Sequence, residues 1–141
     1  MAYKKLIYDT AATGHHSEYL GHLVDYLYVN NVYDAKYFFV VHPEFASLFS
    51  DIYEKGKKTP CITWVPVQDF ELKKIEEGNA IIASIRSMNV MTSYAKKFEV
   101  NHVVALDFHT IKYGAIYKRI PYELSSILFL QFYRLKRDTL K

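Results

Sequence analysis

Only one of the 141 residues is a cysteine, Cys61. It cannot form an intrachain disulfide, and its mostly apolar setting reads as that of a buried, reduced thiol. Glycine and proline are scarce, at five and four residues, which excludes a collagen-like or linker-type chain. No apolar run reaches about 18 residues, so no segment is expected to span a membrane. Met1–Lys5 leads straight into Leu6-Ile7-Tyr8-Asp9 without an apolar stretch of signal length, and the cytoplasm is the expected setting. Motifs are missing too. There is no GxGxxG or GxxxxGK[ST] glycine loop and no GxSxG elbow, so dinucleotide, P-loop and hydrolase readings lack support. Histidines at HxH or HxxxH spacing are absent, and neither a metal nor a cofactor is expected.

What is present is apolar and aromatic. Half the residues are hydrophobic and 23% are charged, which fits one folded domain over residues 1–141 and argues against disorder. Thirteen Tyr and nine Phe are many for this length. The net charge of +3 is too mild to imply nucleic acid, and its distribution is uneven. Residues 1–117 hold twelve Lys/Arg against thirteen Asp/Glu, whereas residues 118–141 hold six against two. A basic contact surface is therefore local to the C-terminus. There, Arg134, Lys136 and Arg137 follow Phe129, Phe132 and Tyr133, a pattern suited to weak contact with an anionic membrane surface or a partner. The plainer alternative is a last apolar element, residues 124–135, followed by a solvated basic tail.

Periodicity gives the organisation. Residues 3–9 read as a strand, and Thr10 to Ser17 as a polar turn of small residues. A helix follows, with Leu20, Leu23, Val24, Leu27 and Tyr28 on one face. Residues 37–41 form a short continuous apolar run, as in a buried parallel strand. The spacing of Phe45, Leu48, Phe49, Ile52 and Tyr53 predicts one helix, ended by Gly56. Residues 62–65 are a third strand, at an edge or strand end because of Pro66. Two helical stretches, 70–77 and 80–98, precede a strand at 102–106 and a short helix at 111–117. Residues 124–135 suit either strand or helix. This alternation predicts an α/β fold, a Rossmann-like three-layer sandwich on a mainly parallel sheet.

In such a sheet, ligands bind at the carboxyl ends of the strands. Three polar clusters fall there: Asp9-Thr10 with residues 13–18, His42 with Glu44, and Asp107 with His109 and Thr110. Gly14 would let backbone amides approach a ligand at the next helix N-terminus. His15 or His16, held by a carboxylate, could serve as a general base; equally, both could be loop histidines that cap the helix. Asp107 and His109 either face a ligand or shape the following turn. Asp9 reads more simply as an acceptor for the next loop's amides. His22 and His102 read as structural or solvent-facing. Arg86, the only arginine before residue 119, could hold a carboxylate or phosphate in its fork, or form a surface pair.

Three segments, Thr13–Leu23, Phe39–Phe45 and Asn101–Leu106, resemble the N-terminal half of bacterial GT-B glycosyltransferases. The likeness is to the retaining, family 4/1-like group, which has two facing Rossmann-like domains and occurs in polysaccharide biosynthesis. In that family the N-terminal domain binds the acceptor, and the C-terminal domain holds most of the nucleotide sugar. The resemblance places Gly14, His15 and His16 in the family's first βα loop and Asp107 and His109 in its late strand-end loop, both at the interdomain cleft. With the residue chemistry above, His16 and Asp107 are the expected catalytic residues, and Gly14, His15, Glu18, His109 and Arg86 the expected substrate contacts. It implies a carbohydrate acceptor and a separately encoded donor-binding domain, or a second copy of this chain, as partners. It also implies that a lone acceptor half, unable to shield the reacting diphosphate from water, is a truncated or split transferase with little activity. The alternative is a stand-alone Rossmann-like binding or protein-interaction module.

Overall fold

The computed structural model describes residues 3–11, 16–30, 34–117 and 120–126. Five strands form one parallel sheet: β1 (Tyr3–Asp9), β2 (Ala35–Val41), β3 (Ile62–Pro66), β4 (His102–Ala105) and β5 (Glu123–Ser126). Their spatial order is β3-β2-β1-β4-β5. Six helices connect them: α1 (His16–Asn30), α2 (Phe45–Leu48), α3 (Ser50–Lys57), α4 (Asp69–Glu76), α5 (Ala80–Lys97) and α6 (Lys112–Tyr117). A single 3-10 turn, Phe108–Thr110, precedes α6. The α/β three-layer sandwich read from the sequence is the fold found.

The strands are apolar on both sides because both sides are covered. In β1, Leu6 and Tyr8 join one core with Val40, Met88, Met91, Val103 and Ile111, while Ile7 joins a second with Leu20, Val24, Phe39 and Phe45. The first core lies under α5 and α6, the second under α1 and α2. The chain winds outward from β1 through β2 to β3, then crosses back over β1 to reach β4 and β5. Crossovers between parallel strands keep one hand, so reversing direction moves the later helices to the opposite face. That reversal makes the β1/β4 junction the switch point of the sheet.

Two sequence readings need correction, and a third, left open between strand and helix, is decided in part. The single helix expected from Phe45 is two, because the backbone turns away at Phe49 (φ −129°, ψ 56°) and α3 begins afresh at Ser50. Gly56 does not end a helix. It lies buried within α3, beneath the Trp64 ring, where an added Cβ would come within 2.6 Å of Trp64 Cε2. Trp64 cannot retreat easily, since Phe39, Phe45 and Tyr53 surround it with ring centroids 5.1 to 5.4 Å away. Of the ambiguous 124–135 stretch, residues 124–126 belong to β5; the remainder and the basic residues 134–137 lie outside the described residues. Gly114 plays a similar spacing role, placing α6 against α5 where a Cβ would sit 2.6 Å from Met88 Cβ.

Gly56→Ala should therefore destabilise the fold by about 1–3 kcal/mol through overpacking against Trp64. Urea unfolding measures it, and a midpoint equal to the parent's would show that the indole has room to shift.

Candidate functional site

The carboxyl edge of the sheet at the switch point is built from the ends of two neighbouring strands. Tyr8 pairs with Ala105, and the Leu106 amide donates to the Tyr8 carbonyl at 3.0 Å. The chain therefore leaves β1 through Asp9-Thr10 and β4 through Leu106-Asp107 side by side. Asp9 is 5% exposed, and its Oδ1 accepts from the Ala11 amide at 3.1 Å, a side-chain turn that shapes the exit of β1. Asp107 is half-buried; its carbonyl accepts from the Thr110 hydroxyl at 2.8 Å and closes the 3-10 turn.

A buried polar layer supports this edge from below. Tyr8 is 1% exposed, and its hydroxyl lies 2.9 Å from Ser87 Oγ on α5. Burial pushes its pKa from the ordinary 10.0 up to about 12, against the smaller opposing effects of hydrogen bonds to Ser87 and Thr10. One turn earlier on α5, Ser84 Oγ accepts from the amides of Tyr113 (3.0 Å) and Gly114 (3.3 Å) at the start of α6. Two serines three residues apart thus fasten the central strand and α6 to α5. Neither was singled out in the sequence. The signal available was a pair of small hydroxyl residues on the apolar face of a helix, which is weak because serine is common on helix surfaces.

The structure brings some of the expected site residues together and separates others. Gly14 and His15 lie outside the described residues. His16 opens α1, and Glu18 sits exposed in its first turn. Asp107 follows β4, and His109 falls within the 3-10 turn. Arg86 is apart from this edge: its guanidinium donates to the Lys74 carbonyl at 2.7 Å, in a groove between α4 and α5. His42 Nδ1 accepts from the Glu44 amide at 3.0 Å, so that cluster shapes the turn into α2. His102 Nε2 lies 2.8 Å from Ser125 Oγ, joining β4 to β5. Among the described residues, no three of His, Cys, Asp and Glu converge as a metal ion would require. No described helix is long and apolar enough to cross a membrane.

No protein-family model and no curated protein matches this sequence. Among solved structures, the chain is similar to one described as "Crystal structure of universal stress protein in complex with cAMP". The likeness has 12% identity and a TM-score of 0.48, and covers 92% of this chain and 100% of that one. The glycosyltransferase resemblance is corrected by this finding. With it go the carbohydrate acceptor, the separate donor-binding domain and the role in polysaccharide biosynthesis. The segments behind the resemblance (an apolar strand, a small polar turn and a helix start) are what the βα units of this sheet themselves require.

The Tyr8 hydroxyl gives a pH test of the buried layer. The unfolded chain releases that proton near pH 10 and the folded chain near pH 12, so deprotonation favours unfolding. This contribution is whole below pH 10 and is lost as pH rises towards 12, about 2–3 kcal/mol in all. Tyr8→Phe should flatten the fall in urea midpoint across that window. An identical slope in the variant would mean that other groups carry it.

Proposed function

We propose that this chain is a stand-alone binding module of Rossmann-like form, taking a nucleoside-type ligand at the β1/β4 crevice. The observation that carries the reading is the reversal of strand order between β1 and β4, with Asp9 and Asp107 leaving its two sides. In open parallel sheets, that junction parts the loops into a cleft at the strand ends. The run β1-α1-β2-α2-α3-β3, in spatial order 3-2-1, has the strand order of the mononucleotide-binding half of such a sheet. That support is an analogy of fold, and the residues sharpen it.

Two carboxylates at the cleft are acceptors. They suit a ligand that offers hydroxyl or amine donors, as a ribose diol and an exocyclic amine do. Asp107 is the contact expected to matter most to the ligand, because it is half-buried at the exit of β4, whereas Asp9 is only 5% exposed. Glu18, exposed at the start of α1, adds a third acceptor near the same end of β1. The reading assigns binding and no reaction.

Isothermal titration of the full chain with adenosine, AMP and ATP tests it. Adenosine and AMP should bind saturably, and Asp107→Asn should weaken them about 10-fold or more through loss of a charged acceptor. Absence of saturable heat with all three overturns the reading. Binding that is indifferent to both Asp107→Asn and Glu18→Gln would move the ligand away from this cleft.

A further inference from the structure

We infer that the groove between α4 and α5 is a separate ligand site, shaped for a flat apolar ring that carries one carboxylate. The groove encloses about 380 Å³ and is lined by Phe70, Glu71, Lys74, Arg86, Asn89, Val90 and Ser93. That volume falls within the range of small-molecule pockets, about 300–1,000 Å³. It lies on the outer flank of α5, away from the Ser84 and Ser87 contacts that serve the crevice, and so does not depend on the proposed function.

The helix pair is held open by bonds that span it at two levels. At one, the Tyr94 hydroxyl donates to Glu71 Oε1 at 2.5 Å, and the same oxygen accepts the Gln68 amide at 3.1 Å. At the other, Arg86 donates to the Lys74 carbonyl at 2.7 Å. These contacts fix the walls before any ligand arrives, which lowers the ordering cost of binding. They also set the chemistry. Arg86 uses one N–H on Lys74, out of the five that a guanidinium carries, and its fork matches a carboxylate. Glu71 is already engaged by two donors.

Charge and shape select the ligand. Lys74 and Arg86 against Glu71 leave the lining one positive charge in excess, which complements a monoanion better than a doubly charged phosphate beside Glu71. Phe70 is 59% exposed and Val90 is half-buried in the same lining, so the groove presents apolar surface to water. A ring laid on Phe70 would cover apolar surface that now faces water, while its carboxylate meets the Arg86 end.

Titration of the isotope-labelled full chain with 2-naphthoate, followed by amide NMR, is the test. 2-Naphthalenemethanol and 2-naphthylmethylamine serve as neutral and cationic comparators. The expected result is saturable shifts at residues 70, 74, 86, 89 and 93 with a dissociation constant of about 1 mM or tighter. The comparators should bind about 10-fold more weakly, as should Arg86→Ala, through loss of the charged hydrogen bonds. Arg86→Lys should recover only part of the affinity, and Phe70→Ala should lower it for acid and alcohol alike. Equal affinity for the three probes, shifts centred on residues 9–11 and 107–111, or no saturation at about 10 mM would each overturn the inference. Arg86 and Phe70 are not core residues, and circular dichroism of each variant separates lost binding from lost fold.

Discussion

The whole arrangement depends on β1, a strand that is hydrogen-bonded on both edges and buried on both faces. Leu6, Ile7, Tyr8 and Asp9 are each 5% exposed or less; β2 pairs with all four on one side and β4 with the first three on the other. A strand so enclosed cannot carry a polar group without supplying it a partner, since an unsatisfied buried group costs about 1–3 kcal/mol. Two of those four residues are polar at their tips. Tyr8 is therefore answered by Ser87 from α5, and Asp9 by the amide of Ala11. The position of α5 follows from that requirement as well as from Met88 and Met91. The placement of α6 follows in turn, through Ser84 and the close approach permitted at Gly114.

Elements with strong periodicity were legible in the sequence. The 37–41 run and the stripe from Leu20 to Leu27 allowed one reading each, and both stand in the structure with ends shifted by a residue or two. Interruptions were harder to see, because they are set by tertiary neighbours. Nothing local to Phe49 announces a break, and Gly56 looks like a helix stop until Trp64, eight residues later, is known to lie against it. Strand order was hidden for a similar reason: alternation of strands and helices fixes neither neighbour nor direction. The switch point at β1/β4 became visible only when β4 was seen to pair with β1 instead of β3.

The candidate site was legible in part. Asp9 ends β1 and Asp107 follows β4, and chain position alone places strand ends of a parallel sheet on one edge. Arg86 stands out in the sequence as an isolated fork, but helical position alone does not say that it points to α4, because that depends on the Lys74 carbonyl reaching it. The glycosyltransferase resemblance failed for a related reason. Strand ends, small turns and helix starts are demanded by the architecture, and many chemistries share the architecture. Likeness in those segments reports the βα unit, and function rests on side chains that the unit merely positions.

Charge supplies the last step in choosing a ligand class for the crevice. Asp9 and Asp107 leave the sheet from adjacent strand ends, and residues 1–117 carry one more acidic than basic side chain. Like charges about 4 Å apart repel by about 4 kcal/mol at the effective dielectric of a protein surface. A phosphate lying against either carboxylate would forfeit much of what its hydrogen bonds return. Hydroxyls and amines face no such penalty, and gain charge-assisted bonds of about 1.5–3 kcal/mol each. The same cleft should therefore rank ligands by their donors and against their accumulated negative charge, so that each phosphate added to a nucleoside must find its place away from the two carboxylates. Any preference would then run from adenosine and AMP downward to ATP, the reverse of what a glycine-rich phosphate loop imposes.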